Sequence, residues 1–491
     1  MTKAFVEGLR TSLRGQVLVP QDPGYEEGRA VYNAMIQRRP GAIARVADVA
    51  DVIACVHAAR DAGVTLAVRG GGHNAAGLGV VDGGLVVDLG RLRGIRVDAQ
   101  ARTVRVEGGA TWGDVDHATH PFGLAVPCGI ISTTGVGGLT LGGGSGYLTR
   151  SCGLTIDNLL GADVVLADGR MVTASADQHP DLFWALRGGG GNFGVVTSFL
   201  FRAHPVSTVV GGPTFWALEQ AEDALRAFQD LIERAPEELG GFFAFVTVPP
   251  VPPFPEALHG RKVSAVVWCH NGSRDAFDRL VGPLISTVPP LLHAAHELPF
   301  PALQSFFDPL YPAGLQWYWR ADFLGGLSDD AIREHRRWGA TLPTPHSTMH
   351  LYPVNGAAAR VGAGDTAYRH RDALWSQVIV GVDPDPAKAN ALREWTVRYY
   401  EALHPYSKGG AAYMNFMMDE GADRVRAAYG ANFERLAQVK RRYDPDNFFR
   451  VNQNIPPAAS FEGPRAACAS GATPMEEKQE PAPIHAHPAR A

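Results

Sequence analysis

Up to about residue 205, short apolar runs alternate with glycine-rich breaks. The runs "LVVDL", "TVRVEGG", "ADVVLADG" and "VVTSFLF" have strand length and end in turn residues. One amphipathic stretch interrupts them. In "VADVADVIACVHAARDAG", the spacing predicts a helix with Val49, Ile53, Val56 and Ala59 on one face and Gly63 closing it. From about residue 206 glycine thins and aromatics rise. Amphipathic helices ("ALEQAEDALRAFQDLIERA", "DPAKANALREWTVRYYEAL") alternate with strand-like "FFAFVTV" and "KVSAVVWCH", a pattern that predicts a separate α+β domain. Residues 458–491, rich in Ala, Pro and small polar residues, read as a disordered tail.

Composition narrows the class. A chain of 491 residues with 45% hydrophobic and 19% charged residues is ordinary globular material, long enough for roughly three domains. The formal charge of -5 is spread without long single-sign runs, so neither nucleic acid nor an acidic membrane is an expected partner. The start lacks an apolar signal core, and no later run reaches the ~18 apolar residues of a membrane span. Five scattered cysteines (Cys55, Cys128, Cys152, Cys269, Cys468) suit a reducing compartment rather than a disulfide framework. A soluble cytoplasmic protein is expected.

Four glycine clusters before residue 195 change the picture: "RGGGHN", "GVGGLTLGGGSG", "LADGR" and "LRGGGGNFG". Glycine turns let backbone N–H groups approach phosphate oxygens because no Cβ intervenes. Tight turns alone would not need so many. No lysine follows any run as a Walker A loop requires, and "GVGGLT" and "GGGSGY" both break the dinucleotide fingerprint without opening a convincing amphipathic helix. No HExxH or Cys/His cluster appears, so no catalytic metal is expected.

"VRGGGHNAAG", "GVGGLTLGGGSGYLTRSCGLTIDNLLGADVVLADG", "HPDLFWALRGGGGNFGVVTSF" and "YDPDNFFRVNQNI" together resemble the FAD-linked oxidases of the vanillyl-alcohol-oxidase (PCMH-type) superfamily, in the berberine-bridge-enzyme-like branch. The resemblance runs from about residue 15 to 457 and is loose in the middle. It implies an α+β fold: a two-lobed FAD-binding domain, 1–205 with a returning segment 405–457, and an inserted antiparallel-sheet substrate domain, 206–404, backed by helices. It also implies that Arg69, Gly70, Gly71, Gly72, His73 and Asn74 hold the pyrophosphate and that His73 is bonded to the flavin 8α carbon. Ser132, Thr133, Gly137, Gly138, Gly142 and Val195 join the expected cofactor set. So do Asn452 and Gln453, which otherwise read as a polar loop capping the last strand.

The chain departs from the family at several places. Where doubly linked relatives carry a second flavin-bound cysteine it has Ile131, with Cys128 three residues earlier. A single histidyl link is therefore expected, with Cys128 a packed thiol. Ser145 replaces a tyrosine of some relatives; nearby Tyr147 would have to come from another direction. Thr134 stands where relatives control oxygen access, and a small side chain there favours an oxidase.

For the proton acceptor, "YMNF" suggests Tyr413, a phenol needing a nearby cation, and the count back from "DTAYRHRDALW" offers Arg360. The other reading of Tyr413 is packing against the flavin ring. Strand alternation puts Trp317 and Trp319 on one face and Tyr318 on the other, and lets His350 and Tyr352 reach the cleft together. The expected activity is oxidation of a CH–OH or CH–NH centre of a small or natural-product-like molecule, with O2 reduced to H2O2, by a monomer or homodimer. The alternatives are a dehydrogenase with another acceptor and a flavin-binding protein without turnover.

Overall fold

The computed structural model describes residues 1–459; the expected tail, apart from residues 458 and 459, and Cys468 lie outside them. Two small sheets occupy the N-terminal part. The first has four strands in the order Gln16–Leu18, Ala42–Arg45, Leu85–Asp88, Leu66–Arg69, mostly parallel. The second has five antiparallel strands drawn from residues 95–202. The predicted helix forms at Val49–Asp61, capped by the Asp48 side chain, with Gly63 in the left-handed region at φ 62°. Its buried stripe is Val52, Cys55, Val56 and Ala59, so Val49 and Ile53 are only half-buried and the expected face is rotated. Asp51 shares the buried side because its carboxylate accepts the backbone N–H groups of Arg14, Gly15 and Ala47.

Residues 208–383 build one eight-stranded antiparallel sheet. Its six longer strands run Thr208–Ala217, Lys262–His270, Leu239–Thr247, Thr348–Pro353, Trp375–Asp383, Gln316–Leu324, the last at an edge. Alternation divides each strand cleanly. Phe243, Phe245, Met349, Leu351 and Ile379 join the core under the helices Ala221–Arg234, Arg274–Thr287, Asp329–Gly339 and Ala389–Leu403. Phe242, Ala244, Tyr352, Val378 and Val380 join a second core with Val106, Trp112 and Phe199 of the N-terminal part. The sheet thus presents one face to its own helices and the other to the N-terminal glycine loops.

The glycine-rich run differs from expectation in one respect. Val136–Gly142 is a short helix despite three glycines, with Val136 and Leu141 buried. Tertiary packing overrides the ~1 kcal/mol that each glycine costs there.

Candidate active site

A cleft of about 350 Å³ lies between the glycine loops and the face of the large sheet turned away from its helices. Its first wall is backbone. Gly70, Gly71, Gly72, Gly137, Gly138 and Gly142 all line it. Gly71 and Gly135 approach so closely that a methyl on Gly71 would sit 2.7 Å from the Gly135 Cα, and the reverse substitution is equally blocked. Gly72 turns in the left-handed region, φ 69°. A Cβ on Gly142 would overlap the Asn415 side chain. This is a channel walled by glycine backbone, the kind of surface a diphosphate fills.

Arg69 lines the same wall, but its guanidinium is turned away: one nitrogen donates to Asp88 Oδ2 at 2.7 Å and another to the Ala30 carbonyl. Asn74 lines the cleft and accepts the Leu78 N–H, holding the loop that follows.

His73 sits in this wall under Tyr32, ring on ring at 3.9 Å. Its Nε2 lies 3.2 Å from Thr133 Oγ1 and its Nδ1 3.4 Å from Thr134 Oγ1. Burial pushes the imidazole down to about 4, only partly countered by Thr133. The ring is therefore neutral at pH 7 and keeps a lone pair. Tyr32, which the sequence reading missed, donates its hydroxyl proton to the Tyr311 carbonyl. Only a stacked geometry identifies it.

Three expected cofactor residues do not line the cleft. Ser132 is held elsewhere: its N–H and hydroxyl both donate to Asp308, fixing the loop from behind. Thr133 meets the His73 Nε2 through its hydroxyl. Val195 is fully buried in the N-terminal core, because strand alternation turns the next residue, Val196, to the cleft instead. Cys128 is buried too, and its thiol is pushed well above its usual range by burial. Gly129, Ile130 and Ile131 stand at the wall in its place.

Tyr413 does reach the cleft. Its Oη accepts the Gly144 N–H and an Asn415 amide N–H, each at 2.7 Å. Burial nevertheless pushes the phenol up to about 12, the two hydrogen bonds pulling the other way. The expected cation is not there. Arg360 ends a short helix, Ala357–Arg360, is 64% exposed, and pairs with Glu237. The pairing of Arg360 with Tyr413 is thus corrected: a charged guanidinium at a helix end stays in water beside a carboxylate rather than entering an apolar cleft.

The returning segment closes the glycine end. Asn452 and Gln453 both line it. Asn452 donates to the carbonyls of Gly191 and Phe449, and its Oδ1 is buried without a partner. Gln453 donates to the Met418 carbonyl, and Asn192 donates to the Gln453 carbonyl. Behind them Lys440 is fully buried, donating to Asp444, the Asn192 carbonyl and the Phe449 carbonyl. Asp444 in turn accepts the N–H groups of Phe448 and Phe449. That pair explains the first of the two acidic residues in "YDPDNFF".

The opposite wall is side chain. Trp317 and Trp319 face the cleft while Tyr318, between them, does not. His350 and Tyr352 also face it, joined through Nδ1 and Oη at 2.6 Å. Ser145 lines the cleft beside the Thr149 hydroxyl; Tyr147 is buried outside it against Phe242. Asn33, another residue the sequence did not flag, bonds the Ala75 and Trp317 carbonyls and the Trp317 N–H, pinning the two walls together.

Peptide nests at one end, a neutral histidine beside them, an unpartnered amide oxygen and a long aromatic wall fit a dinucleotide with a flat ring system. These features define a flavin-binding oxidoreductase. A family model described as an FAD binding domain matches residues 40–175, and one described as berberine and berberine like matches 412–456. An FAD-linked oxidoreductase of Bacillus subtilis, YgaK, is 32% identical over 91% of this chain and 98% of its own. The (R)-6-hydroxynicotine oxidase of Paenarthrobacter nicotinovorans is 30% identical, over 91% and 98% of the two chains. The solved structure of Physcomitrella patens BBE-like 1 superposes with a TM-score of 0.82 at 26% identity, covering 93% and 99%. The chain belongs to the berberine-bridge-like family of FAD-linked oxidoreductases, and it is an enzyme. None of its described helices is long and apolar enough to cross a membrane.

Proposed function

We propose that the chain is a cytoplasmic FAD-linked oxidase holding its flavin through a single bond at His73. It oxidises a CH–OH or CH–NH centre of a small, natural-product-like substrate, with O2 as electron acceptor and H2O2 as product. On this reading the N-terminal part and the returning segment hold FAD, and residues 206–404 cover it. The observation that carries the proposal is the neutral His73 imidazole, stacked under Tyr32 at the wall of a glycine-lined cleft. Bound there, FAD supplies a two-electron acceptor for hydride.

The chain's own groups do the rest. The glycine loops meet the diphosphate through backbone N–H groups. His73 offers a lone pair for the 8α carbon, and Thr133 and Thr134 hold its ring. Tyr413, with two donors on its oxygen, keeps its own proton free to give to a substrate oxygen or nitrogen, so it orients rather than abstracts. Thr134 lines the cleft with a small side chain, which supports oxygen access and an oxidase over a dehydrogenase. Cys128, walled off, supports one link rather than two. A relative named for oxidising hydroxynicotine supports a small natural-product substrate.

The test is the intact mass of acid-denatured protein beside its visible spectrum. The expected result is one FAD of added mass and a yellow pellet, both lost in His73→Ala. A colourless pellet with FAD in the supernatant would remove the covalent bond, and no flavin in either fraction would remove the oxidase reading.

A further inference from the structure

His73 is held from two sides, and both holds lead back to one segment. Residues 305–315 join the short helix Phe300–Gln304 to the strand Gln316–Leu324. Phe307 fastens this segment to the sheet, its ring 6.0 Å from that of Phe242 and 6.3 Å from that of Tyr311. The Tyr311 carbonyl accepts the Tyr32 hydroxyl proton at 2.6 Å, and the Gly314 N–H donates to the Tyr32 carbonyl at 3.1 Å. Tyr32 is thereby laid on the imidazole, the two rings 17° from parallel. On the other side, Asp308 accepts the Ser132 N–H at 3.0 Å on one oxygen and the Ser132 hydroxyl on the other. Ser132 leads directly into Thr133 and Thr134, the two residues that meet the ring nitrogens.

Those nitrogens face different surroundings. Thr133 is exposed and stands outside the cleft lining, whereas Thr134 lines the cleft. Nε2, 3.2 Å from the Thr133 hydroxyl, therefore points away from the cleft, and Nδ1, on the Thr134 side, points toward it. Thr133 also bonds the ring through its backbone, whose carbonyl accepts from a ring N–H. With the proton on Nε2, the lone pair lies on Nδ1, and a 3.4 Å contact to the Thr134 hydroxyl is too long to tie it up. The carbonyls of this loop are held separately. The Trp112 N–H donates to the Thr134 carbonyl at 3.0 Å and the Gly113 N–H to the Ser132 carbonyl at 2.8 Å. Asp308 is therefore an added hold: without it the loop keeps its carbonyl anchors and loses the one that fixes its inner edge.

We propose that Asp308 is a positioning residue for flavin attachment: through Ser132 it sets Thr133 against Nε2, so that the His73 ring presents its Nδ1 lone pair to the cleft. The inference rests on the single-bond reading above. In that step the 8α C–H bond breaks with loss of its proton, and the Nδ1 lone pair forms the C–N bond. The Nε2 proton leaves past Thr133 to solvent, and its bonding pair stays behind as the new lone pair. The electron pair of the C–H bond passes to FAD and then to O2, which takes up two protons and leaves as H2O2. Asp308 touches none of the reacting atoms. Its effect is on orientation, and a misplacement of about 1 Å in a reacting group costs about 10²-fold in rate.

The test mixes full-length apo-protein with FAD in air and follows covalent incorporation by intact mass at several FAD concentrations. In Asp308→Ala the rate at saturating FAD should fall at least ~10-fold, while the FAD concentration giving half that rate stays within about 2-fold of the wild type. Thr133→Val, which keeps the shape and drops the hydroxyl, should behave alike. NMR of the flavin-bearing peptide should show the bond at Nδ1 in the wild type and a mixture of Nδ1 and Nε2 in Thr133→Val. An unchanged rate in Asp308→Ala would overturn the proposal, as would an Nε2 bond in the wild type. A loss of FAD affinity as large as the loss of rate would reduce Asp308 to a structural role and overturn it too. Should Asp308→Ala not fold, Ser132→Ala decides, since it removes the hydroxyl bond and leaves the N–H bond: attachment slowed about 3-fold supports the proposal and an unchanged rate overturns it. A wild-type chain that binds FAD and never bonds it refutes the single-bond reading itself, whereas a wild type that bonds FAD beside an unaffected Asp308→Ala refutes this inference alone.

Discussion

The two walls of the cleft are made of different material. The glycine wall is peptide backbone packed against backbone at Gly71 and Gly135, where a single added carbon has nowhere to go, and against the Asn415 side chain at Gly142. The sheet wall is made of side-chain tips on alternate positions of neighbouring strands. A backbone-built surface has few solutions, because at Gly71 and Gly135 every residue other than glycine collides. A side-chain-built surface has many, because a strand accepts almost any residue at a cleft-facing position without altering its ladder. On the function proposed above, cofactor binding falls to the first kind of surface and substrate choice to the second.

The largest effect should come from breaking the first wall. Gly71→Ala and Gly135→Ala place a methyl against backbone that cannot yield. Each should give protein without flavin and with a melting transition lowered by several degrees or lost, read from visible absorbance and thermal denaturation. Gly138→Ala sharpens the point: its Cβ meets nothing within 4 Å, so the fold should survive, and any flavin lost reports contact with the cofactor itself.

Next in size is the clamp behind that wall. Lys440→Met leaves Asp444 buried and unpaired, at a cost of about 3–5 kcal/mol in denaturant titrations. Acidification should act on the same end. His73 titrates near 4 when folded and near 6.5 when unfolded, so the unfolded chain binds the extra proton between those values. The contribution of His73 to stability therefore falls as pH drops from about 6.5 to about 4, and His335 and His350, held down at about 3 by burial, add to it. Apo-protein should melt at progressively lower temperature across that window, and His73→Ala should lessen the slope.

On the sheet wall, Trp319→Phe should cost under about 2 kcal/mol and leave flavin content unchanged while shifting which alcohols are oxidised fastest. The opposite result, flavin lost with substrate preference intact, would erase the distinction between the walls. Smallest of all, Arg360→Gln removes an exposed ion pair worth about 0–1 kcal/mol and should leave flavin reduction by substrate unchanged. A large drop in reduction would restore the cation that the structure places away from Tyr413.

Chain order was legible in the same uneven way. Gly70 to Asn74, Asn452 and Gln453 were found by motif and do line the cleft, and period-2 alternation placed Trp317, Trp319, His350 and Tyr352 on one side. Arg360 and Val195 failed because counting along a chain cannot say which way a helix end or a strand residue points. Tyr32 and Asn33 had no local signature at all, since each works through residues more than 30 positions away.

By itself, then, the sequence determined where backbone must come close to something and that an imidazole stands beside it. Glycine is required by local geometry, and local geometry is written in consecutive residues. Only the tertiary structure decided that Tyr32 covers His73, that Arg360 stands away from Tyr413 beside Glu237, and that side-chain tips from three neighbouring strands converge on one wall of the cleft. Those facts depend on packing between segments tens to hundreds of residues apart, which no single segment encodes.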